Sequence, residues 1–262
     1  MPAIPEGEST LTQARIAIAT ALRAAARKLA PEELHPVPVP IGELDKLFAS
    51  LQRLNFAPRH IVDVGANRGG WSRTALRYFP DAHYTLVEPQ PGMLAQLQDL
   101  LSANPRIRLH SVGAGPVAGV LPFTIHQRDD SCTFSLSAEE AYGQGLTQIR
   151  VPVATLDAML RESTFPPPDM VKIDAEGFDL EVLKGATSAI ESCEVLLVEA
   201  GVMNRKFAND LRSVVNRLAD VGFRPFDVTD LNRTQRHGSL WLVEMAFTRI
   251  GGYLEGQITS YD

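Results

Sequence analysis

Residues 61–70 read Ile61-Val62-Asp63-Val64-Gly65-Ala66-Asn67-Arg68-Gly69-Gly70, an apolar strand that ends in a tight turn feeding a helix. This is the crossover that opens a doubly wound sheet, in which ligands sit beyond the carboxyl ends of the strands. The neighbouring segments keep the same rhythm. Ile61–Val64 is followed by a helix over Trp71–Tyr78, a strand at Tyr84–Val87, a helix across Met93–Leu101 and a third strand at Ile107–Val112. Further on, Val195–Glu199 reads as a buried strand and Asp210–Ala219 as a helix, and Arg224–Val228 with Leu240–Thr248 can form an antiparallel pair. The alternation predicts an α/β fold, a parallel sheet covered on both faces with a hairpin at its end. Between these runs, Val120–Ile125, Thr133–Leu136 and Ile149–Val153 read as short strands of a β insertion, and Leu156–Leu160 as a helix.

A second stretch, Val171–Ala186 (VKIDAEGFDLEVLKGA), starts as an apolar strand that carries Lys172, Asp174 and Glu176 on alternate positions. Strand side chains repeat with period two, so the three charges are expected on one face and Val171, Ile173 and Ala175 on the other. Charges on so apolar a strand are costly to bury unless they pair or do chemistry. Gly177 then opens a short helix with Asp179 and Glu181 as ordinary first-turn acids and Gly185 as its stop.

The chain has 262 residues, 45% of them hydrophobic, and a formal net charge of −6. That is enough for one α/β domain plus an appendage. The acidic balance argues against a general nucleic-acid backbone binder. No apolar run reaches the roughly 18 residues of a membrane span. Cys132 and Cys193 lack metal-ligand spacing, and a reduced, cytoplasmic setting is the simpler expectation. Leu11–Ala30 is Ala-rich and basic, and reads as a helical extension packing on the core or on a second copy in a homodimer. A targeting leader and a surface-lying membrane helix are the weaker readings. Pro31–Pro40 is a proline-rich linker, and Ile41–Asn55 an amphipathic helix. The domain reading is therefore an extension and linker over 1–55, a catalytic domain over 56–250 with its insertion at about 118–155, and a tail over 251–262.

The details of the first turn separate two nucleotide cofactors. A dinucleotide needs G-x-G-x-x-G, whose second glycine admits the pyrophosphate, and here that position is Asn67 with no Walker lysine following. A nucleoside without a phosphate requirement fits better, and S-adenosylmethionine is such a ligand. Glu88, at the end of the second strand, can accept both ribose hydroxyls. Asp63, near the end of the first strand, is placed to meet the ammonium of the methionine moiety, directly or through water. The alternative is that Asp63 caps the turn and Glu88 is a solvated strand end.

With both segments in hand, the sequence resembles the FkbM-type family of S-adenosylmethionine-dependent methyltransferases. The matching residues are Val62-Asp63-Val64-Gly65-Ala66-Asn67-Arg68-Gly69, Glu88-Pro89, Val151-Pro152-Val153-Ala154-Thr155-Leu156-Asp157, and Val171–Gly177 running into Leu180–Ala186. The resemblance covers roughly residues 55–250 and implies the class I methyltransferase (Rossmann-like) fold, with seven strands and the last but one in sequence at the edge. It implies cofactor contacts at Asp63, Gly65, Ala66, Asn67, Gly69, Glu88, Pro89, Ser111, Gly113 and Asp174. Where the family often has an adenine-binding acid after the third strand, this chain has Ser111-Val112-Gly113-Ala114-Gly115-Pro116, which leaves adenine to backbone groups or Ser111. It also implies O-methylation of a small-molecule or glycan acceptor, such as a sugar or a secondary metabolite.

Methyl transfer to an alcohol needs alignment of the acceptor and removal of its proton. Asp174 is the first choice for base or acceptor-orienting group, Glu176 the next, and Glu199 completes an acidic cluster. Three readings compete: direct proton removal, Mg²⁺ held by Asp174, Glu176 and Glu199 to acidify the hydroxyl, or a Lys172–Asp174 pair that only holds the strand end. His237, in the polar loop Asp230–Ser239, is a further catalytic candidate, and His126 a weaker one. Ser131, Cys132, Thr133 and Ser135 read as turn formers that can touch a ligand, and Trp71 as a packing residue. An amino-methylating nucleic-acid enzyme would carry an Asp/Asn-Pro-Pro-aromatic turn after the fourth strand; Asp174-Ala175-Glu176-Gly177 stands there instead. A nicotinamide oxidoreductase and a non-catalytic cofactor-binding protein are the remaining alternatives. The insertion, the N-terminal helix and the Asp230–Ser239 loop are expected to build the acceptor pocket.

Overall fold

His60–Val64 and Met170–Ile173 are buried at every residue, and His83–Val87 at all but its first. Strands buried this completely belong inside a sheet covered on both sides. A computed structural model, describing residues 43–203 and 208–260, shows that sheet. The Leu11–Ala30 helix and the Pro31–Pro40 linker lie outside the described residues. The described chain begins with α1 (Leu44–Arg53), β1 (His60–Val64), α2 (Gly70–Tyr78), β2 (His83–Val87), α3 (Met93–Ala103) and β3 (Ile107–His110). There follow β4 (Gly113–Ala114), β5 (Gly119–Ile125), α4 (Ala138–Gly143), β6 (Thr147–Ala154), α5 (Leu156–Arg161) and β7 (Met170–Ile173). The last third holds α6 (Asp179–Lys184), α7 (Thr187–Ser192), β8 (Val195–Gly201), α8 (Leu211–Asp220), β9 (Phe223–Arg233), β10 (Leu240–Arg249) and α9 (Tyr253–Gln257).

Seven strands pair in the order β3-β2-β1-β7-β8-β10-β9, parallel except for β10, which runs antiparallel to both neighbours. The last strand but one in sequence is at the edge, as the resemblance implies. The order reverses between β1 and β7, and a ligand crevice opens at such a switch point. Period-two alternation feeds two cores. Val62, Val64, Ile173, Leu196 and Val198 face α6, α7 and α8. Ile61, Met170, Val195 and Leu197 face the other way, with Leu47, Phe48 and Leu51 of α1 and Ala75 of α2. Among the described residues no helix is long and apolar enough to cross a membrane.

The insertion is a separate three-stranded sheet, β4-β6-β5. Thr133–Leu136, expected as one of its strands, makes only an isolated bridge between Thr133 and Thr124. The reason is local: Thr133 and Ser135 spend their hydroxyls on the carbonyl of Glu176, and such side-chain bonds compete with ladder formation. Other parts of the chain differ from the expectation as well. The third strand stops at His110, short of Val112. The strand through Lys172 stops at Ile173, so Asp174 and Glu176 lie in a turn rather than on a shared strand face. A helix over Ala138–Gly143, closed by a Ser137–Glu140 capping box, and another over Thr187–Ser192 went unread. Beyond residue 250 the chain forms α9, whose Leu254 is fully buried.

Candidate active site

The site is built where β1 and β7 end. After Val64, Gly65 adopts φ +76°, and a Cβ there would sit 1.9 Å from the carbonyl oxygen of Asp174. Only glycine lets the two strand ends approach so closely. Beneath this turn, Asp63 and Lys172 are register partners on β1 and β7. Lys172 Nζ lies 3.2 Å from Asp63 Oδ1 and 3.3 Å from Asp174 Oδ2, and donates to Gly65 O at 3.1 Å. Its contact with Asp63 Oδ1 is an ion pair rather than a directed hydrogen bond. Burial alone would lower the Lys172 pKa; the carboxylates of Asp63, Asp174 and Glu244 outweigh it and raise the pKa, so the ammonium stays charged. Ser72 Oγ donates to the other oxygen of Asp63 at 2.6 Å. Asp63 is therefore inside the protein and does not itself line the crevice.

Glu88 stands at the end of β2, 3% exposed, and accepts from the backbone of Asn67 at 2.7 Å and of Gln90 at 2.8 Å. It is a fixed wall residue, not a solvated strand end. The turn after β7 is strained: Glu176 has φ +50° and Gly177 φ +92°. Asp179 holds it. Fully buried, it accepts from Ala175 N at 2.9 Å, Gly177 N at 3.1 Å and Asn209 Nδ2 at 2.7 Å. Asn209 also donates to Glu199 O at 3.1 Å, tying β8 to the same turn. The reading of Asp179 as an ordinary first-turn acid missed this; the only signal was an acid two residues after a glycine turn.

Asp174, Glu176 and Glu199 each bring one carboxylate oxygen within 4.8 Å of the others. Asp174 Oδ1 and Glu199 Oε2 are buried without a hydrogen-bond partner among the described residues. Burial first, and the neighbouring carboxylates second, push Glu199 up to about 10 and Glu176 up to about 8. Glu244 and Asp179, also held up chiefly by burial, reach about 7. Among the described residues one lysine thus serves several crowded acids, which favours proton sharing between them.

The crevice above is a cavity of about 870 Å³ running from Glu88 and Pro89 past Gly65, Asn67 and Asp174 to the β9–β10 hairpin. A smaller space of about 300 Å³ shares Asp174 and Glu199 and adds Trp71 and Glu244. The insertion roofs the larger cavity. Asp129 O accepts from Asn67 Nδ2 at 3.0 Å and Gln90 Nε2 at 2.8 Å, and its carboxylate pairs with Arg68 at 2.5 Å. On the far side, Thr133 Oγ1 donates to Glu176 O at 2.7 Å. Ser131, Cys132 and His126 also line this roof.

Other expected residues lie elsewhere. Gly69 faces Leu97 and Leu100, and Ala66 is buried, so both shape the turn without reaching the cavity. Gly113 packs under Phe134, and exposed Ser111 lines a separate groove at the β3 edge, away from the main cavity. His237 is exposed on the hairpin loop and does not line the cavity.

Residues 63–225 match the model of the Methyltransferase FkbM domain. Over 81 residues the chain is 36% identical to the hexuronic acid methyltransferase AglP of Haloferax volcanii, covering 30% of each chain. Over 155 residues it is 28% identical to the methyltransferase sdnD of Sordaria araneosa, covering 48% of this chain and 59% of the other. The match therefore spans less than two thirds of either relative. Among solved structures, methyltransferase FkbM from Methylobacillus flagellatus KT superposes with a TM-score of 0.47 at 19% identity, covering 71% of this chain and 43% of that one. The 1,6-didemethyltoxoflavin-N1-methyltransferase of Burkholderia thailandensis gives 0.44 at 11% identity, covering 95% and 92%.

Proposed function

Because the chain belongs to the FkbM methyltransferase family, we propose that it moves a methyl group from S-adenosylmethionine to a hydroxyl of a sugar, glycan or secondary metabolite. The observation that carries this reading is a pair of buried, unpartnered carboxylate oxygens, Asp174 Oδ1 and Glu199 Oε2, on a cavity that begins at Glu88. S-adenosylmethionine supplies an electrophilic methyl on a cationic sulfur. A cation is what the surplus of acids lacks, so the residues fit the group. Glu88 still has lone pairs for ribose hydroxyls after receiving Asn67 N and Gln90 N. Asp174 is the proposed base: it receives the proton of the acceptor hydroxyl, while Lys172 keeps its other oxygen oriented. Glu199, protonated near neutral pH, can donate a hydrogen bond to the acceptor oxygen or to Asp174. The likeness to AglP, a hexuronic acid methyltransferase, supports a sugar acceptor.

A second reading has an observation of its own. Three hard carboxylates with oxygens within 4.8 Å of one another form a donor set suited to Mg²⁺, which would acidify the hydroxyl. Incubating the protein with methyl-labelled S-adenosylmethionine and a panel of glycosides and metabolites tests the main reading. Asp174→Asn should abolish transfer; unchanged turnover would remove Asp174 from both readings. Loss of activity in chelator with recovery in Mg²⁺ would select the second.

A further inference from the structure

The two ends of the cavity differ in charge. The inner end holds Asp174, Glu176 and Glu199 and, from β9, Asp230, whose two oxygens accept from Leu231 N and Asn232 Nδ2; the outer wall is the rest of the β9–β10 hairpin with Asn232, Arg233, Gln235 and Trp241. Among the described residues two arginines line the cavity. Arg128 is held by both oxygens of Asp130 at 2.9 Å. Arg233 donates only to the carbonyl of Gly238, at 3.0 Å, and has no carboxylate partner among the described residues. A guanidinium carries five donors in a planar fork that matches a carboxylate. Most of that fork is unspent, beside a cavity.

Trp241 gives the same wall an aromatic surface. It is half-buried, lines the cavity, and stacks on no other ring among the described residues. Asn232, Gln235 and, from the insertion, Gln144 add planar amides to the lining of the same cavity. A pyranose offers the complementary set: an apolar C–H face for an indole and a belt of hydroxyls for amides. A carboxylate on that ring would be drawn to Arg233 and repelled by the inner acids. It would therefore enter carboxylate outward and hydroxyl inward.

Resting on the methyl-transfer reading, we propose that the hairpin wall is a subsite for an anionic sugar of the uronate type. Arg233 holds its carboxylate, Trp241 lies against its ring, and a ring hydroxyl is presented to Asp174. The contact makes Arg233 and Trp241 the residues that select the acceptor. The methyl goes to oxygen in ether linkage, with the hydroxyl proton passing to Asp174 and the carbon–sulfur electron pair leaving with sulfur.

The test uses matched methyl glycosides, glucuronoside against glucoside and galacturonoside against galactoside, which differ only in carboxylate for hydroxymethyl. Binding is measured by calorimetry on the full chain saturated with S-adenosylhomocysteine, whose own affinity is measured first. At least one uronoside should bind roughly tenfold or more tightly than its neutral partner. Arg233→Gln should erase that preference and Arg233→Lys keep part of it. Trp241→Leu should weaken both members of the pair alike. In both Arg233 variants S-adenosylhomocysteine affinity and the unfolding midpoint should hold, since Arg233 is exposed. Equal binding within both pairs, no binding of either uronoside, a preference that survives Arg233→Gln, or an alkali-labile ester product would each overturn the proposal. Failure to bind S-adenosylmethionine or its product would instead sink the methyl-transfer reading, and this subsite with it.

Discussion

Lys172 and Asp63 form an ion pair at 3.2 Å with side-chain exposures of 4% and 0%, directly under the glycine turn of the site. Removing one partner of such a pair strands a buried charge, which costs far more than the pair contributes. Lys172→Met leaves both Asp63 and Asp174 uncompensated and should destabilise the fold by about 3–5 kcal/mol. Urea unfolding measures it. Adding Asp63→Asn should recover part of the loss, because the second substitution removes the orphaned charge. A midpoint untouched by Lys172→Met would show that the pair does not hold the two strand ends.

Gly65→Ala tests the approach of β1 to β7. The new methyl would meet Asp174 O at 1.9 Å, a backbone atom that cannot swing away, and φ +76° disfavours any side chain. A loss of roughly 3 kcal/mol or more, or failure to fold, is expected. By contrast Gly70→Ala, where a Cβ meets nothing within 4 Å, should be tolerated. Thermal melts of the two variants side by side decide the point; equal stability would contradict the close crossing.

The parallel sheet was legible because runs such as Val195–Val198, and Ile61–Val64 but for Asp63, are apolar on both faces, and only a doubly covered sheet buries both. Asp174, Glu176 and Glu199 could be foreseen as a group because strand ends at a switch point converge. What escaped is what depends on depth and turn geometry. Asp63 resembles a cavity residue in sequence, but its place on the α1–α2 side of β1 turns it inward to Ser72 and Lys172. Period two carried Glu176 too far along the strand, because Asp179 pulls the backbone into a turn from five residues beyond Asp174. The partnership of Asp179 with Asn209 spans thirty positions and leaves no local pattern. Arg233 and Trp241 lie on either side of a hairpin loop, and only the fold turns both to one wall.

The acid cluster should make the ligand-free protein less stable in alkali. Glu199 and Glu176, with pKa values pushed up to about 10 and about 8, keep protons in the folded chain that the unfolded chain releases near its ordinary value of 4.5. Between those limits the folded state binds more protons, so stability is full below the unfolded pKa and is lost as pH rises through the folded ones. Glu199→Gln removes the larger contributor. At pH 8 the variant should be more stable than the parent by roughly 1–3 kcal/mol, with little difference at pH 4.5. Chemical denaturation at both pH values gives the comparison. A variant less stable at pH 8 would mean that Glu199 is ionised and favourably paired in the folded protein.

The last prediction concerns how Glu176 is held. Its φ of +50° is uncommon for a residue with a side chain, and the hydroxyl of Thr133 donates to its carbonyl at 2.7 Å while accepting Ser135 N at 2.9 Å. Thr133 is 2% exposed, so no water would replace that hydroxyl without rearrangement. Thr133→Val keeps the shape and removes both bonds, letting Glu176 relax away from Asp174 and Glu199. With the acceptor identified by the panel above, kcat should fall about tenfold or more, while KM for S-adenosylmethionine changes little. Thr133→Ser, which restores the hydroxyl, should recover most of the rate. A purely structural threonine would behave otherwise: both substitutions would shift the unfolding midpoint, and the rate of the properly folded fraction would stay at the parent value. If Thr133→Val turns over at that value, the roof of the insertion covers the site without setting the position of Glu176.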